Sequence, residues 1–283
     1  MLVHDDLEIR MKTYYEGISK TKLMRRTPVV IRLDGKAFHT FTRNFKRPFD
    51  TILMETMQET MLYLCEHIQG CVLGYTQSDE ITLVLVDYKR LDSDAWFDYE
   101  VQKVCSISAS MATLIFNRTF SKNVLSYEQS LVTLENETIY EEEKKYVQVL
   151  KKAMEKGAMF DSRCFNIPKE EVTNMIYWRQ IDASRNSINM AGQAYFTHKE
   201  LQNKSCNMIQ DMLHEQKGIN WNDYSTSQKR GTCCIKKAVL VSCLDKTTQE
   251  KIEVEREKWI IDTEIPLFKG EGREYIEYLI NVE

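Results

Sequence analysis

Three carboxylates stand where packing alone does not call for them. Asp34 closes PVVIRLDG, a β-branched run bounded by Pro28 and Gly35 that reads as a buried central strand. Burying a carboxylate there without a partner is costly, and Arg32 is the one obvious partner nearby. Asp79 and Glu80 lie between the two apolar runs of CVLGYTQSDEITLVLV, Cys71 to Val86, which reads as a β-hairpin with the acids at its tip or at the first residues of the returning strand. Solvated turns also carry Ser and Asp, so QSDE alone weighs evenly between an ordinary turn and a site. Asp34 shifts that balance.

Two carboxylates converging beside a helix start suit two divalent cations bridging a nucleoside triphosphate. Such ions lower the pKa of an attacking hydroxyl and neutralise charge on departing pyrophosphate. Magnesium needs few protein carboxylates when phosphate oxygens and water complete its shell, so Asp34, Asp79 and the Gly35 carbonyl would suffice. Glu80, one residue further along a regular strand, faces the other way and reads as support. Lys36 to Thr42 carries Ala37, Phe38 and Phe41 at helical spacing, and the first amides of a helix there would point back at Asp34 and seat an anion.

The flanking elements must bring these acids together. Asp5 to Met24 reads as a leading helix, and Phe49 to Gln69 as an amphipathic helix with Ile52, Leu53, Thr56, Met57, Thr60, Met61 and Leu64 on one stripe. Ala95 to Phe116 reads as another, burying Trp96, Val101, Val104, Ile107, Ser108 and Met111, with Lys103 among them. Arg163 to Ile167 supplies a fourth strand. Strand, helix, strand, strand, helix, strand is the split βαβ order of a ferredoxin-like α+β domain, an antiparallel sheet with helices on one face. In that sheet the first strand pairs with the strand after the hairpin turn, which sets Asp34 beside Asp79.

The remainder is expected to be a helical and β-hairpin region, residues 169–283, packed on residues 1–168 and not independent of them. EEEKKYVQVLKKAMEK reads as a helix, Lys169 to Gln216 as two helical pieces around Ser184 to Gly192, and Gly272 to Ile280 as a last helix. CCIKKAVLVSCL and EKIEVEREKWIID alternate as two strands joined near Asp245 to Gln249.

Composition narrows the class. The 283 residues, 43% apolar and 28% charged, fit a globular protein with a substantial core, and ten Gly and four Pro leave little room for linkers. MLVHDDLEIRMK lacks the basic start and apolar core of a signal peptide, and no apolar run approaches about 20 residues, so a cytoplasmic protein without a membrane span is expected. Eight cysteines without Cys-x-x-Cys spacing read as small buried hydrophobes. A net charge of −4 argues against indiscriminate coating of nucleic acid, although local clusters remain at Lys20, Lys22, Arg25 and Arg26, at Arg43, Lys46 and Arg47, at Lys151 and Lys152, and at Lys229, Arg230, Lys236 and Lys237. Each alone reads as a solvated face; several on one face would make a phosphate track.

Five ordered motifs go further. RLDGKAFHTFTR (Arg32 to Arg43), RPFD (Arg47 to Asp50), GYTQSDEITLVL (Gly74 to Leu85), FDSRCFNIP (Phe160 to Pro168) and YWRQIDASRNS (Tyr177 to Ser187) together resemble the tRNA-histidine guanylyltransferase family, with a weaker echo at Lys229 to Gly231. The resemblance implies a polymerase-like palm that adds nucleotides to the 5′ end of tRNA in the 3′-to-5′ direction, after activation of that end with ATP or GTP or as an existing triphosphate. It implies two magnesium ions on Asp34, the Gly35 carbonyl and Asp79, with Glu80 and Ser78 in support. It also implies a triphosphate seat on the amides of Lys36, Ala37, Phe38 and His39, and nucleotide contacts from His39, Arg47, Asp50 and Lys103. Arg163, Arg185, Asn186, Lys229 and Arg230 would serve the RNA, and the assembly would be a homotetramer.

One departure redirects that reading. Members acting on tRNA-histidine carry His-Ile-Asn-Asn after Trp-Arg-Gln, whereas this chain has Ser184, Arg185, Asn186 and Ser187. The missing histidine resembles the guanylyltransferase-like branch, which repairs 5′-truncated tRNA by templated addition. G addition to tRNA-histidine, a palm-fold nucleotide cyclase and a non-catalytic RNA-binding protein are the competing readings, and the intact Asp34, Asp79 and Glu80 weigh against the last.

Overall fold

A computed structural model describes residues 3–133, 136–244 and 251–281. Helix α1 (Val3–Met11) runs on through a π turn (Lys12–Glu16) and a 3-10 turn (Gly17–Ser19), so the leading helix stops short of Met24. Then follow β1 (Val29–Gly35), α2 (Phe38–Phe41), α3 (Thr51–His67), β2 (Cys71–Gln77), β3 (Glu80–Leu85), α4 (Val101–Ser130), α5 (Glu137–Lys156) and β4 (Phe160–Asn166). Beyond these lie α6 (Val172–Tyr195), α7 (His198–Leu201), α8 (Cys206–Lys217), α9 (Thr226–Arg230), β5 (Thr232–Leu244), β6 (Lys251–Asp262) and α10 (Glu274–Ile280). Among the described residues no helix is long and apolar enough to cross a membrane.

All six strands form one antiparallel sheet ordered β4-β1-β3-β2-β5-β6. Its first four strands have the split βαβ order expected from the sequence. β1 and β3 pair in register from Val29↔Leu85 to Asp34↔Glu80, and β1 and β4 from Val29↔Asn166 to Gly35↔Phe160. β5 joins β2 only over Thr232 to Cys234 and then continues with β6 as a two-stranded ribbon to Leu244↔Lys251. The connection expected near Asp245 to Gln249 lies outside the described residues.

Alternation decides the two faces. Val29, Ile31, Leu33, Ile81, Leu83 and Leu85 pack under Met57, Met61 and Leu64 of α3 and Val104, Ala112, Phe116 and Phe120 of α4. Each of these buried Val, Leu, Ile, Met and Phe side chains contributes about 2 kcal/mol. Val30, Leu73, Tyr75, Val84 and Val86 point the other way, against Val172, Met175 and Ile176 of α6 and Ile276, Leu279 and Ile280 of α10. Asp34, Arg32 and Glu80 fall on this second face by strand alternation.

Two helices differ from expectation. α4 begins at Val101 after left-handed residues at Phe97, Asp98 and Tyr99, and it buries Val104, Ser108, Ala112, Phe116 and Phe120 at strict four-residue spacing, which leaves Ile107 exposed. α6 runs unbroken through Ser184 to Gly192. Its small residues there permit close helix packing: a Cβ on Gly192 would lie 2.8 Å from Cγ2 of Ile209 in α8.

Candidate active site

The end of β1 and the tip of the β2–β3 hairpin are joined by backbone. The Gly35 amide donates to the Asp79 carbonyl at 3.1 Å, and Asp34 stands opposite Glu80 across the strand pair. The tip is made by Ser78, held at a φ of 50°, and its hydroxyl donates to Oδ1 of Asp79 at 3.0 Å. Gly35 permits the next step of the chain, because a Cβ there would meet the Phe38 ring at 2.2 Å.

Electrostatically the acids oppose one another. Burial raises the Asp34 carboxyl above its ordinary range, Glu80 and Asp161 push it the same way, and Arg163 and Arg32 act against them. Burial likewise pushes the Asp79 carboxyl up; the Ser78 hydroxyl and its own amide pull it down, while Asp34 and Glu80 add to the rise. Carboxylates left this way are compensated by cations. Among the described residues no group of three His, Cys, Asp or Glu side chains forms a metal cage. Two carboxylates and a carbonyl match magnesium that keeps water and phosphate oxygens, and not an all-protein calcium or zinc site.

Glu80 belongs to a different set. Its Oε2 lies 2.5 Å from Nη2 of Arg179, its Oε1 lies 3.3 Å from Nη2 of Arg32, and Arg179 also reaches Asp182 at 2.9 Å. Arg32 therefore serves Glu80, where the sequence had suggested Asp34. Arg179 is buried, and its Nε has no hydrogen-bond partner among the described residues.

A cleft of about 620 Å³ opens beside Asp79, lined by Gly35, Ala37, Phe38, His39, Arg43, Arg47, Asp50 and Ser78, with Met190 and Gln193 of α6 on the far wall. Ala37 adopts the left-handed conformation before the four-residue α2. The Lys36 amide is not free for a phosphate, because it donates to the Met159 carbonyl at 2.8 Å. Asp50 is committed too. It caps α3 through the Leu53 amide at 3.0 Å, accepts the Lys46 amide at 3.0 Å, and receives the Tyr146 hydroxyl of α5. Burial and the Asp50 charge raise the Tyr146 phenol far above its normal range, so it remains a donor.

The other candidate residues are placed unevenly. Asn186 lines a smaller adjoining cleft with Gln77, Ser78, Ser227, Gln228 and Gly231, while Arg185 is exposed on α6. Lys229 and Arg230 end α9, with Lys229 Nζ 5.7 Å from the Trp221 ring centroid and the Arg230 carbonyl accepting the Tyr75 hydroxyl at 2.6 Å. Arg163 stands beside Arg32 across β1 and β4, its Nη2 3.2 Å from Asp161. Lys103 does not line the cleft. It sits on the first turn of α4, 3.9 Å from Glu100, and α4 crosses β4 there near Cys164, toward the end of β1 remote from Asp34.

Part of each basic cluster is spent internally. Lys20 pairs with Glu16, Lys22 with Asp98, Arg25 with Asp87, Asp94 and Asp98, Lys151 with Glu128, and Lys237 with Asp262. Arg179, Trp178, Asp161 and Tyr146 were missed at the level of sequence; Trp178 and Arg179 lie inside the YWRQ motif and Asp161 inside FDSRCFNIP, so those three carried a signal, whereas Tyr146 on the amphipathic α5 reads as an ordinary face residue.

Comparison with known proteins agrees with this architecture. The family model for Thg1, tRNAHis guanylyltransferase, matches residues 8–168. A probable tRNA(His) guanylyltransferase of Dictyostelium discoideum is 26% identical over 77% of the chain and 78% of its own length, and the tRNA(His) guanylyltransferase of Debaryomyces hansenii is 25% identical over 85% and 86%. A bacterial tRNA(His) guanylyltransferase-like protein in complex with ATP superposes with a TM-score of 0.76 at 36% identity, covering 98% of this chain and 100% of that one. A bacterial tRNA(His) guanylyltransferase-like protein in complex with GTP gives 0.72 at 35%, again covering 98% of this chain and 100% of that one. With its palm-like sheet and acids at the strand ends, the chain belongs to the tRNA-histidine guanylyltransferase family of nucleotidyltransferases.

Proposed function

We propose that this chain adds nucleotides, templated by the opposing strand, to the 5′ end of tRNA in the 3′-to-5′ direction and so repairs 5′-truncated tRNA. The observation that carries the reading is the joining of the Asp34 strand end, through Gly35, to Asp79, with Gly35 and Asp79 lining a cleft large enough for a nucleoside triphosphate. The ATP and GTP complexes of the bacterial relatives support nucleotide as the cleft's ligand.

Asp34, Asp79 and the Gly35 carbonyl would hold two magnesium ions, which supply charge neutralisation on the phosphates and a lowered pKa for the attacking hydroxyl. The protein's own groups do the rest. The amides of Ala37, Phe38 and His39 and the Arg47 side chain border the triphosphate, and Ser78 fixes the Asp79 carboxylate by its hydrogen bond. Asp50, fully hydrogen-bonded, holds the cleft wall in place. In the addition step the 3′-hydroxyl of the incoming nucleotide attacks the activated 5′ phosphorus, the new phosphodiester forms, and AMP or pyrophosphate leaves. Arg163, Arg185, Asn186, Lys229 and Arg230 serve the RNA, and a homotetramer would let neighbouring subunits complete its path. Lys103 is left to the RNA or to a second phosphate group outside the cleft.

Ser184 standing where the histidine-specific enzymes carry His favours repair over histidine tRNA maturation. The deciding experiment supplies tRNAs lacking their first nucleotide, with each of the four bases opposite the gap, magnesium and each nucleoside triphosphate. Addition of the complementary nucleotide is expected. Addition of G whatever the opposing base would assign histidine tRNA maturation instead.

A further inference from the structure

Helix α6 gives the acids a second neighbourhood, away from the nucleotide cleft. Asn186 and Met190 border the clefts, whereas Trp178, about 12 Å earlier along the helix, borders neither. The Trp178 side chain is 54% exposed even though its ring is held from the protein side. The Arg32 guanidinium carbon lies 5.4 Å from the ring centroid and that of Arg179 4.6 Å. Both guanidiniums are in turn anchored on the single carboxylate of Glu80, at 3.3 and 2.5 Å. Glu80 is the cross-strand partner of Asp34.

A tryptophan needed only for packing would be buried, and a helix position meant for solvent has no use for an indole fixed by two cations. What remains open is a flat aromatic surface, ordered in advance, so a ligand that stacks there loses little to ordering the protein. Charge at its margin is paired, Arg32 and Arg179 with Glu80, Arg179 with Asp182, and Arg163 across the strand with Asp161. A stacked base fits this surface, and stacking of this kind tolerates any base.

We propose that Trp178 stacks on a nucleobase at the 5′ end of the RNA, on the side of Asp34 and Asp79 opposite the nucleotide cleft. This rests on the RNA-extension reading, in which two substrates must meet at the acids from different directions. Glu80 then has a definite task, since it fixes the two arginines that orient the ring.

The test compares wild type, Trp178→Ala and Trp178→Phe. It measures binding of a 5′-truncated tRNA, binding of ATP, extension of the tRNA and molar mass by light scattering. Loss of stacking should weaken tRNA binding by about 5- to 100-fold in Trp178→Ala, with Trp178→Phe within about threefold of wild type and ATP binding unchanged. Equal tRNA binding by wild type and Trp178→Ala overturns the proposal while wild-type extension keeps the functional reading. Loss of ATP binding instead of tRNA binding assigns the ring to the nucleotide, and a change in molar mass assigns it to contacts between copies; either result overturns it. A wild type that neither binds nor extends tRNA rejects the functional reading and this inference together.

Discussion

The amide of Gly35 donates to the carbonyl of Asp79 across 3.1 Å, and that one bond fixes the end of the central strand to the tip of the hairpin. Asp34 and Asp79 are thereby held together while the two arginines that act on Asp34, Arg163 and Arg32, make their ion pairs with Asp161 and Glu80. Division of labour among three acids follows from strand alternation and from where two arginines find their partners.

Arg179 is expected to matter more for stability than a residue on an amphipathic helix ordinarily would. Arg179→Met leaves Glu80 and Asp182 without their shared partner on a half-covered sheet face and should cost about 3 kcal/mol in urea unfolding. Arg179→Lys should recover only part, since one ammonium cannot span both carboxylates and lie against Trp178. Midpoints unchanged by either substitution would show that the pairs contribute nothing.

Asp79 should trade stability for function. Its carboxyl is raised by burial, so the folded state is favoured while the group is protonated and loses that advantage as pH climbs through the raised pKa. In EDTA, Asp79→Asn is therefore expected to melt higher than wild type at pH near 8, with the gain shrinking toward about pH 4. A variant less stable than wild type at pH 8 contradicts the electrostatic account of the site.

Much of this site could be read from sequence because its signals were local. PVVIRLDG and CVLGYTQSDEITLVLV each carry their strand, their turn and their acid within a short run, and the βαββαβ order fixes which strands pair. What could not be read depended on distant partners. Ser184 to Gly192 looked like a break because small and polar residues weaken isolated helices, yet Gly192 is small to admit Ile209 of α8. The commitment of Asp50 to Tyr146, 96 positions away, and of Arg179 to Glu80, 99 away, leaves no trace in local pattern. The family resemblance implied a nucleotide contact for Lys103, but the start of α4 does not line the cleft.

Gly231 is expected to be irreplaceable on geometric grounds. Its φ is +83°, and a Cβ would stand 2.6 Å from the Thr76 carbonyl oxygen and 2.7 Å from the Tyr75 hydroxyl. Gly231→Ala should cost about 2 kcal/mol, and Tyr75→Phe, which removes only the hydrogen bond to Arg230, about 1 kcal/mol, by thermal or urea unfolding. Equal stability of Gly231→Ala and wild type would contradict the close approach of α9 to β2.

Tyr146→Phe removes one of three donors on the buried Asp50 carboxylate, which a hydrogen bond to a charged acceptor values at about 2 kcal/mol. Because the same carboxylate caps α3 and holds Lys46 at the cleft, the variant should also raise KM for ATP with a smaller effect on kcat. An unchanged KM together with unchanged stability would separate Asp50 from the cleft wall.

The central claim is that Asp34 and Asp79 act as one unit in 5′ extension of RNA. Single-turnover extension of a 5′-truncated tRNA by wild type, Asp34→Asn, Asp79→Asn and the double variant tests it most directly. Each single substitution is expected to slow extension by at least about 100-fold, with the double variant hardly slower than either, as for groups that fail together. Extension at the wild-type rate by either single variant would contradict it.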